Sequence, residues 1–271
     1  ALRPYQRRAR AQTYAAIRAG KRAPRVVAPT GAGKTVVGAS MAADAVRKGR
    51  KVNWYAHRRE LLAQAVAALT LFGCQAEGQV LSDQAACARG GIPDADIAFF
   101  DEAHHLGSHV DADWKRVVDA HAKDIRIGLT ATPERDDGSA LAGFDALIEV
   151  AKYSELIAAG HLVPCDVKQP NRQLGRRELL CAPVDAYRTW ADGSIAVVYG
   201  LTVEECERFA CEFRAAGIPC EVVHGKLKKA DRDATLERWR SGATRVVCNV
   251  GVLTEGFDFP AISTVILARN C

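Results

Sequence analysis

The chain has 271 residues, 48% of them hydrophobic and 25% charged, proportions of a globular protein that exclude disordered, collagen-like and fibrous chains. At ~100–200 residues per domain, the length predicts two domains. No apolar run approaches the roughly 18 residues of a spanning helix, and the basic N-terminus lacks the apolar stretch of a secretory leader. Neither a membrane protein nor a membrane partner is expected.

Nine cysteines (Cys74, Cys87, Cys165, Cys181, Cys206, Cys211, Cys220, Cys248 and Cys271) stand singly, with no Cys-x-x-Cys pair and no histidine at zinc spacing. Reduced thiols in a cytoplasmic protein are expected, rather than a disulfide framework or a structural zinc site. The net charge of +5 is unevenly placed. Residues 1–25 hold Arg3, Arg7, Arg8, Arg10, Arg18, Lys21, Arg22 and Arg25 and no acid, so the rest of the chain is net acidic. Such a segment attracts phosphate or nucleic acid, or is simply a solvated helix face. The chain opens with Ala1 rather than Met, as a fragment would.

In chain order, apolar runs predict strands at 25–28, 51–55, 96–100 and 124–129, with helices at 34–48, 58–72 and 110–122 between them. These make a first α/β domain over residues 1–152. A short helix at 153–162, then Pro164, Pro170 and Pro183 around a polar stretch with Gly175, predict a linker over 153–193. Alternation restarts with strand 194–199, helix 203–216, strand 219–223, helix 230–241, and strands 244–250 and 263–268. The second α/β domain is 194–271, and both domains are read as mainly parallel sheets flanked by helices.

Ala28-Pro29-Thr30-Gly31-Ala32-Gly33-Lys34-Thr35 lies between a predicted strand and a predicted helix, the setting of a phosphate-binding loop. Gly31 and Gly33 let the backbone curl so that its N–H groups face phosphate oxygens, and the helix adds its positive end. Lys34 would reach the β- and γ-phosphates, while the Thr35 hydroxyl would hold Mg²⁺. The full pattern has Gly where Ala28 stands, and the plain alternative is a Gly-rich turn that binds nothing. Ile97-Ala98-Phe99-Phe100-Asp101-Glu102-Ala103-His104-His105 then delivers acids at a strand end. Asp101 suits the Mg²⁺ carboxylate and Glu102 a general base for the attacking water. Two acids capping a following helix is the structural alternative. His104, His105 and His109 lack the i, i+4 spacing of a zinc helix.

Further segments follow in a recognisable order. Arg3-Pro4-Tyr5-Gln6 precedes the loop; Ala56-His57-Arg58-Arg59-Glu60-Leu61-Leu62-Ala63-Gln64, the Asp101-Glu102-Ala103-His104 run and Gly128-Leu129-Thr130-Ala131-Thr132-Pro133 come after it. The second half carries residues 196–200, His224-Gly225 and Asn249-Val250-Gly251-Val252-Leu253-Thr254-Glu255-Gly256-Phe257-Asp258. In this order they resemble the motifs of a superfamily 2 helicase or translocase of the DEAH/DExH group. The resemblance implies two RecA-like domains with ATP held between them. It implies a catalytic set of Lys34, Asp101, Glu102 and His104, with Thr35 and Asp101 as metal ligands. Tyr5, Gln6, Thr30, Gly31, Ala32, Gly33, Lys34, Thr35, Gly256 and Asp258 would contact the nucleotide. His57, Arg58, Arg59, Thr254 and Glu255 would contact nucleic acid, and Thr130, Ala131 and Thr132 would couple the two ligands. The residues allow plainer readings: two threonines in a turn before Pro133, and an ordinary helix start at His57-Arg58-Arg59. Ser82-Asp83-Gln84 stands where the family has a short nucleic-acid-contacting segment.

The family closes its second domain with a Gln-x-x-Gly-Arg-x-x-Arg element whose arginines reach the γ-phosphate, each such arginine being worth ~10³–10⁵ in rate. The chain stops at Ile266-Leu267-Ala268-Arg269-Asn270-Cys271, where that element would follow. Gln173-Leu174-Gly175-Arg176-Arg177 is one residue short and precedes the second-half motifs, so it reads as a basic loop; Arg135 and Arg269 are candidate substitutes. The resemblance therefore implies an ATP- and Mg²⁺-dependent nucleic-acid motor, with DNA ahead of RNA and other protein subunits as further partners. Two other readings are a translocase subunit of a restriction or repair complex, and a clamp that binds both ligands with little turnover.

Overall fold

The structure is a computed structural model that describes residues 1–74, 80–88, 91–105, 112–133, 143–169, 181–253 and 257–268, except the side chains of Arg59, His105 and Ala112. The chain divides into two compact units, Ala1–Pro164 and Cys165–Cys271.

Unit 1 contains, in order, α1 (Pro4–Arg18), β1 (Pro24–Val27), α2 (Lys34–Arg47), β2 (Val52–Tyr55), α3 (Arg59–Leu71), β3 (Val80–Leu81), α4 (Asp83–Ala88), β4 (Ile97–Asp101), a 3₁₀ turn (Ala103–His105), α5 (Ala112–Ala120), β5 (Ile125–Thr130), β6 (Ala146–Glu149) and α6 (Tyr153–Ala158). The strands form one parallel sheet in the order β3-β2-β4-β5-β1-β6. Interior parallel strands are covered on both faces and read as unbroken apolar runs, which is why β1 is buried at all four residues. One face packs Val26, Trp54, Phe99 and Leu129 under α1, α2 and α3. The other packs Tyr55, Ala98 and Phe100 against Trp114 and Val117 of α5.

Two glycines allow close approach. A Cβ on Gly38 of α2 would lie 2.6 Å from the Trp54 ring and 2.7 Å from Leu129, so the helix sits directly on the sheet. A Cβ on Gly128 of β5 would lie 2.4 Å from the Phe144 ring. Gly128→Ala is therefore expected to destabilise unit 1 by about 1–3 kcal/mol through overpacking, read as a lowered urea midpoint with unchanged slope; an unshifted midpoint would show that Phe144 moves freely.

Unit 2 contains α7 (Pro183–Trp190), β7 (Ala196–Tyr199), α8 (Val203–Ala215), β8 (Cys220–His224), α9 (Lys229–Arg240), β9 (Val246–Val250) and β10 (Thr264–Leu267). Its strands are again all parallel, in the order β10-β7-β9-β8. Tyr187, Phe209 and Phe213 cover one face. On the other face, Trp239 stacks on Phe257 and meets Phe259 edge-on. A capping box starts α8: the Thr202 hydroxyl accepts from the Glu205 N–H at 3.1 Å, and the Glu205 carboxylate accepts from the Thr202 N–H at 3.3 Å.

The expected strands and helices recur within one or two residues at most ends. The domain boundary does not. Leu156 of α6 is 1% exposed in the core of unit 1 and Tyr187 of α7 is equally buried in that of unit 2, so the boundary falls at Pro164 rather than at residue 152. The expected linker, 153–193, thus contributes helices to both cores; its stretch 170–180, with Gly175 and the Gln173–Arg177 run, lies outside the described residues. β3 has two residues and β6 is a half-exposed edge strand, too short to carry a period, and neither was legible in the sequence. Ser82 caps α4, its Oγ accepting the Ala85 N–H at 3.1 Å. The eight described cysteines carry free thiols. Among the described residues, no helix is long and apolar enough to cross a membrane.

Candidate active site

Parallel strands put all their C-terminal ends at one pole of the sheet, and β5 lies between β1 and β4. The register pairs Thr130 with Val27 and Asp101 with Leu129. The loop after β1, the acid ending β4 and the threonine ending β5 are therefore neighbours, despite about a hundred residues of intervening sequence.

The loop leaves β1 through a turn in which the Ala32 N–H donates to the Pro29 carbonyl at 3.0 Å. Gly31 and Gly33 take φ of 82° and 81°, the left-handed region that costs other residues about 1–2 kcal/mol. Gly33 is the N-cap of α2, so that helix points its free N–H groups and positive end at the loop. Helix α1 braces the same turn. The Tyr5 hydroxyl and the Gln6 amide donate to the Ala32 carbonyl at 3.1 Å and 3.0 Å, and the Gln6 oxygen accepts from the Arg3 N–H at 2.9 Å. Tyr5 and Gln6 are 7% and 5% exposed. They hold the loop's shape, a role with no signal in the sequence.

Four catalytic candidates converge here. Lys34 Nζ lies 3.2 Å from Glu102 Oε1, and the Thr35 hydroxyl donates to Asp101 Oδ2 at 3.4 Å. Asp101 is 1% exposed. Burial and then the adjacent Glu102 charge push its carboxyl up to about 7, against the opposing pull of Lys34, the Glu102 N–H and Thr35. A buried carboxylate so weakly compensated, with a hydroxyl beside it, fits a divalent cation. Among the described residues no three His, Cys, Asp or Glu side chains gather around a metal position. Mg²⁺ takes one or two protein oxygens and completes its shell with phosphate and water, and Asp101 and Thr35 offer two such oxygens.

Glu102 has φ of 51°, the one non-glycine residue with positive φ among those described. The strain of such a position is of order 1–3 kcal/mol, and it turns the carboxylate back toward Lys34 and His104, whose Nδ1 is 3.4 Å from Glu102 Oε2. His104 Nδ1 also shares a hydrogen bond with the Thr130 hydroxyl at 3.2 Å. Thr130 Oγ1 in turn accepts from the Thr132 N–H at 3.2 Å. A chain of contacts thus runs from Lys34 through Glu102 and His104 to Thr130. Ala131 and Thr132 follow toward the surface, and among the described residues Thr132 bonds to Thr130.

His161 and Leu162 had no signal in the sequence. The turn after α6 sets the His161 ring 5.4 Å from that of Tyr5, and Leu162 stands 2.9 Å from where a Gly31 Cβ would be. His57 and Arg58 sit after β2 at the same pole as the loop, the Arg58 Nε donating to His57 Nε2 at 3.2 Å; the Arg59 side chain lies outside the described residues. In unit 2, Asn249 ends in a fully buried side chain whose Oδ1 accepts the N–H groups of Val252 and Leu253 at 3.1 Å and 2.8 Å. It fixes the start of the segment leading to Asp258, which is exposed. Thr254, Glu255, Gly256, Arg135, His109 and Arg269 lie outside the described residues.

Comparison with known proteins bears on the family and the fold. A family model described as "Type III restriction enzyme, res subunit" matches residues 1–88 and 89–135, and one described as "Helicase conserved C-terminal domain" matches residues 179–270. These matches support membership of the superfamily 2 helicase family. A 51.5 kDa protein of a Lactococcus phage (isolate 7-9) is 29% identical over 90% of this chain and 58% of its own length. A putative mitochondrial ATP-dependent helicase, irc3, of Schizosaccharomyces pombe is 25% identical over 96% of this chain and 51% of its own. The chain thus spans about half the length of these relatives. The Mycobacterium smegmatis helicase Lhr, solved with single-stranded DNA and AMP-PNP, superposes with a TM-score of 0.59 over 96% of this chain and 41% of that one, at 17% identity. At that identity the likeness is one of fold, and it agrees with the RecA-like, mainly parallel sheets found here.

Proposed function

We propose that the chain is the ATP-hydrolysing motor of a nucleic-acid helicase or translocase of the DEAH type. One observation carries the reading. Lys34 and Thr35, on the loop after β1, meet Glu102 and Asp101, at the end of β4, within 3.2 Å and 3.4 Å, which is the arrangement phosphoryl transfer to water needs.

In this mechanism the loop N–H groups and the end of α2 bind the phosphates, and Lys34 neutralises the β- and γ-phosphoryl oxygens. Thr35 and Asp101 would hold Mg²⁺, which supplies charge neutralisation on those phosphates. Lys34 pairs with Glu102 when no phosphate competes for it. Once phosphate draws the ammonium away, the Glu102 carboxylate is released to accept a proton from the attacking water. His104 is the sensor, because its contacts with Glu102 and Thr130 link the state of the γ-phosphate to the end of β5. By the family resemblance, Gly256 and Asp258 would be further nucleotide contacts. His57, Arg58, Arg59, Thr254 and Glu255 touch the nucleic-acid backbone.

The match of residues 1–135 to a restriction-enzyme subunit favours a second form of the reading, translocation along duplex DNA without strand separation. Both forms require ATP hydrolysis that rises with added nucleic acid. Hydrolysis that ignores nucleic acid would remove the motor reading. ATP binding without turnover, in this chain and in a longer natural one, would assign the clamp; turnover restored by the longer chain would keep the motor reading.

A further inference from the structure

The basic N-terminal segment is only partly used by the nucleotide site. Arg3 and Arg7 lie where α1 braces the loop, but the other end of that helix points away. Because α1 leads into β1 and α2 leads back from it, both run antiparallel to the strands, and both end at the pole opposite the phosphate loop. Their C-termini are level: Asp44, three residues before the end of α2, takes hydrogen bonds from Arg10 and Tyr14 of α1 at 3.3 Å and 2.8 Å. The loop after α1 and the loop after α2 therefore emerge side by side, and they bring Arg18, Lys21, Arg22, Lys48, Arg50 and Lys51 to one surface, all exposed.

Cations at helix C-termini are ordinarily explained by the helix dipole. That account covers Arg18 and Lys48, the C-cap of α2. The other four lie beyond the helices, in the loops, outside the reach of the dipoles.

The local acids neutralise this surface only in part. Asp44 is taken by Arg10, Tyr14 and Arg47. Asp145 spends both carboxylate oxygens on the N–H groups of Arg22 and Ala23, at 2.7 Å and 3.0 Å. Asp96 accepts from the Lys51 N–H at 2.8 Å and pairs with Arg50 at 3.4 Å. Arg18, Lys21, Lys48 and Lys51 make no ion pair among the described residues. Arg22 instead donates to the Lys123 carbonyl, which tethers the next loop, with its own exposed lysine, to the same surface. Cations in excess of these acids repel one another, a local cost that is offset when a polyanion covers them.

We infer that this pole of unit 1 is a second nucleic-acid contact, one that takes the sugar-phosphate backbone of duplex lying beyond the motor tract. The inference rests on the reading of the chain as a nucleic-acid motor and adds a site to it. The two poles are separated by the length of β5, roughly 20 Å at 3.3 Å per residue, so a short oligonucleotide held near His57 and Arg58 does not reach the basic pole. A long duplex does. The contact is to phosphate, so it is blind to sequence, adds to affinity, and strengthens the salt dependence of binding.

The test is a triple variant, Lys21→Glu, Lys48→Glu and Lys51→Glu, with the corresponding Lys→Gln variant beside it as a milder change. Fluorescence anisotropy would compare a short single strand, a long duplex and poly-glutamate at several salt concentrations. Nucleotide affinity serves as the measure of intact folding. Expected is a loss of about tenfold or more in duplex affinity, a salt slope smaller by about 2–3, an intermediate loss for the glutamine variant, and unchanged affinity for the short strand. Equal duplex affinity in parent and variants, with nucleotide binding intact, would overturn the inference while leaving the motor reading in place. Poly-glutamate binding as strongly as duplex to the parent, and lost in the variants, would overturn it in favour of an acidic protein partner. A parent that binds neither strand nor duplex would overturn the motor reading and this inference with it.

Discussion

Lys34→Ala is expected to weaken ATP binding by about 2–4 kcal/mol, about 30- to 1000-fold, the range for removing one partner from a buried charge contact. Two losses combine. The ammonium no longer neutralises the β- and γ-phosphates, and Glu102, whose side chain is 12% exposed, keeps its charge with His104 as the remaining neighbour on that side. The loop geometry survives, because it depends on Gly31, Gly33 and the braces from Tyr5 and Gln6 rather than on Lys34. Nucleotide affinity should therefore collapse with the loop still formed, while the unfolding midpoint falls by no more than the unpaired Glu102 charge costs. Titration calorimetry with ADP and ATP checks both parts, and affinity within a few-fold of the parent would remove the phosphate-site assignment.

Glu102→Gln separates binding from chemistry. The amide cannot accept a proton from water at neutral pH, so turnover should fall by about 10²–10⁴. ATP affinity should hold or tighten, because Lys34 no longer leaves an ion pair to reach phosphate. That second half distinguishes the structure's account from a simple general-base assignment, which has no reason to expect tighter binding. Single-turnover hydrolysis and equilibrium binding on the same variant give the two numbers. Parental turnover would exclude Glu102 as the base, and weakened ATP binding would contradict the competition between phosphate and Glu102 for Lys34.

Much of this site was legible in the sequence because phosphate chemistry is local in the chain. Gly31, Gly33, Lys34 and Thr35 are nearly contiguous, as one turn around one phosphate would need, so their spacing by itself points to a phosphate ligand. Asp101 and Glu102 were legible for a similar reason, an apolar strand ending in acid. The buried parallel strands were legible as apolar runs, and the helices between them as periodic stretches.

Everything that depends on strand order had to come from the tertiary structure. No local pattern says that β5 is inserted between β1 and β4, yet that order brings Thr130 to His104. The ion pair of Lys34 with Glu102, the left-handed backbone at Glu102, and the hold of Tyr5 and Gln6 on the Ala32 carbonyl join residues distant in sequence or depend on a single torsion angle. The basic segment shows the division most clearly. By itself the sequence determined that residues 1–25 are cationic; the direction of α1 against the sheet decided that Arg3 lies by the phosphate loop while Arg18, Lys21 and Arg22 lie at the opposite pole, since a helix of 15 residues at about 1.5 Å per residue carries its two ends some 20 Å apart.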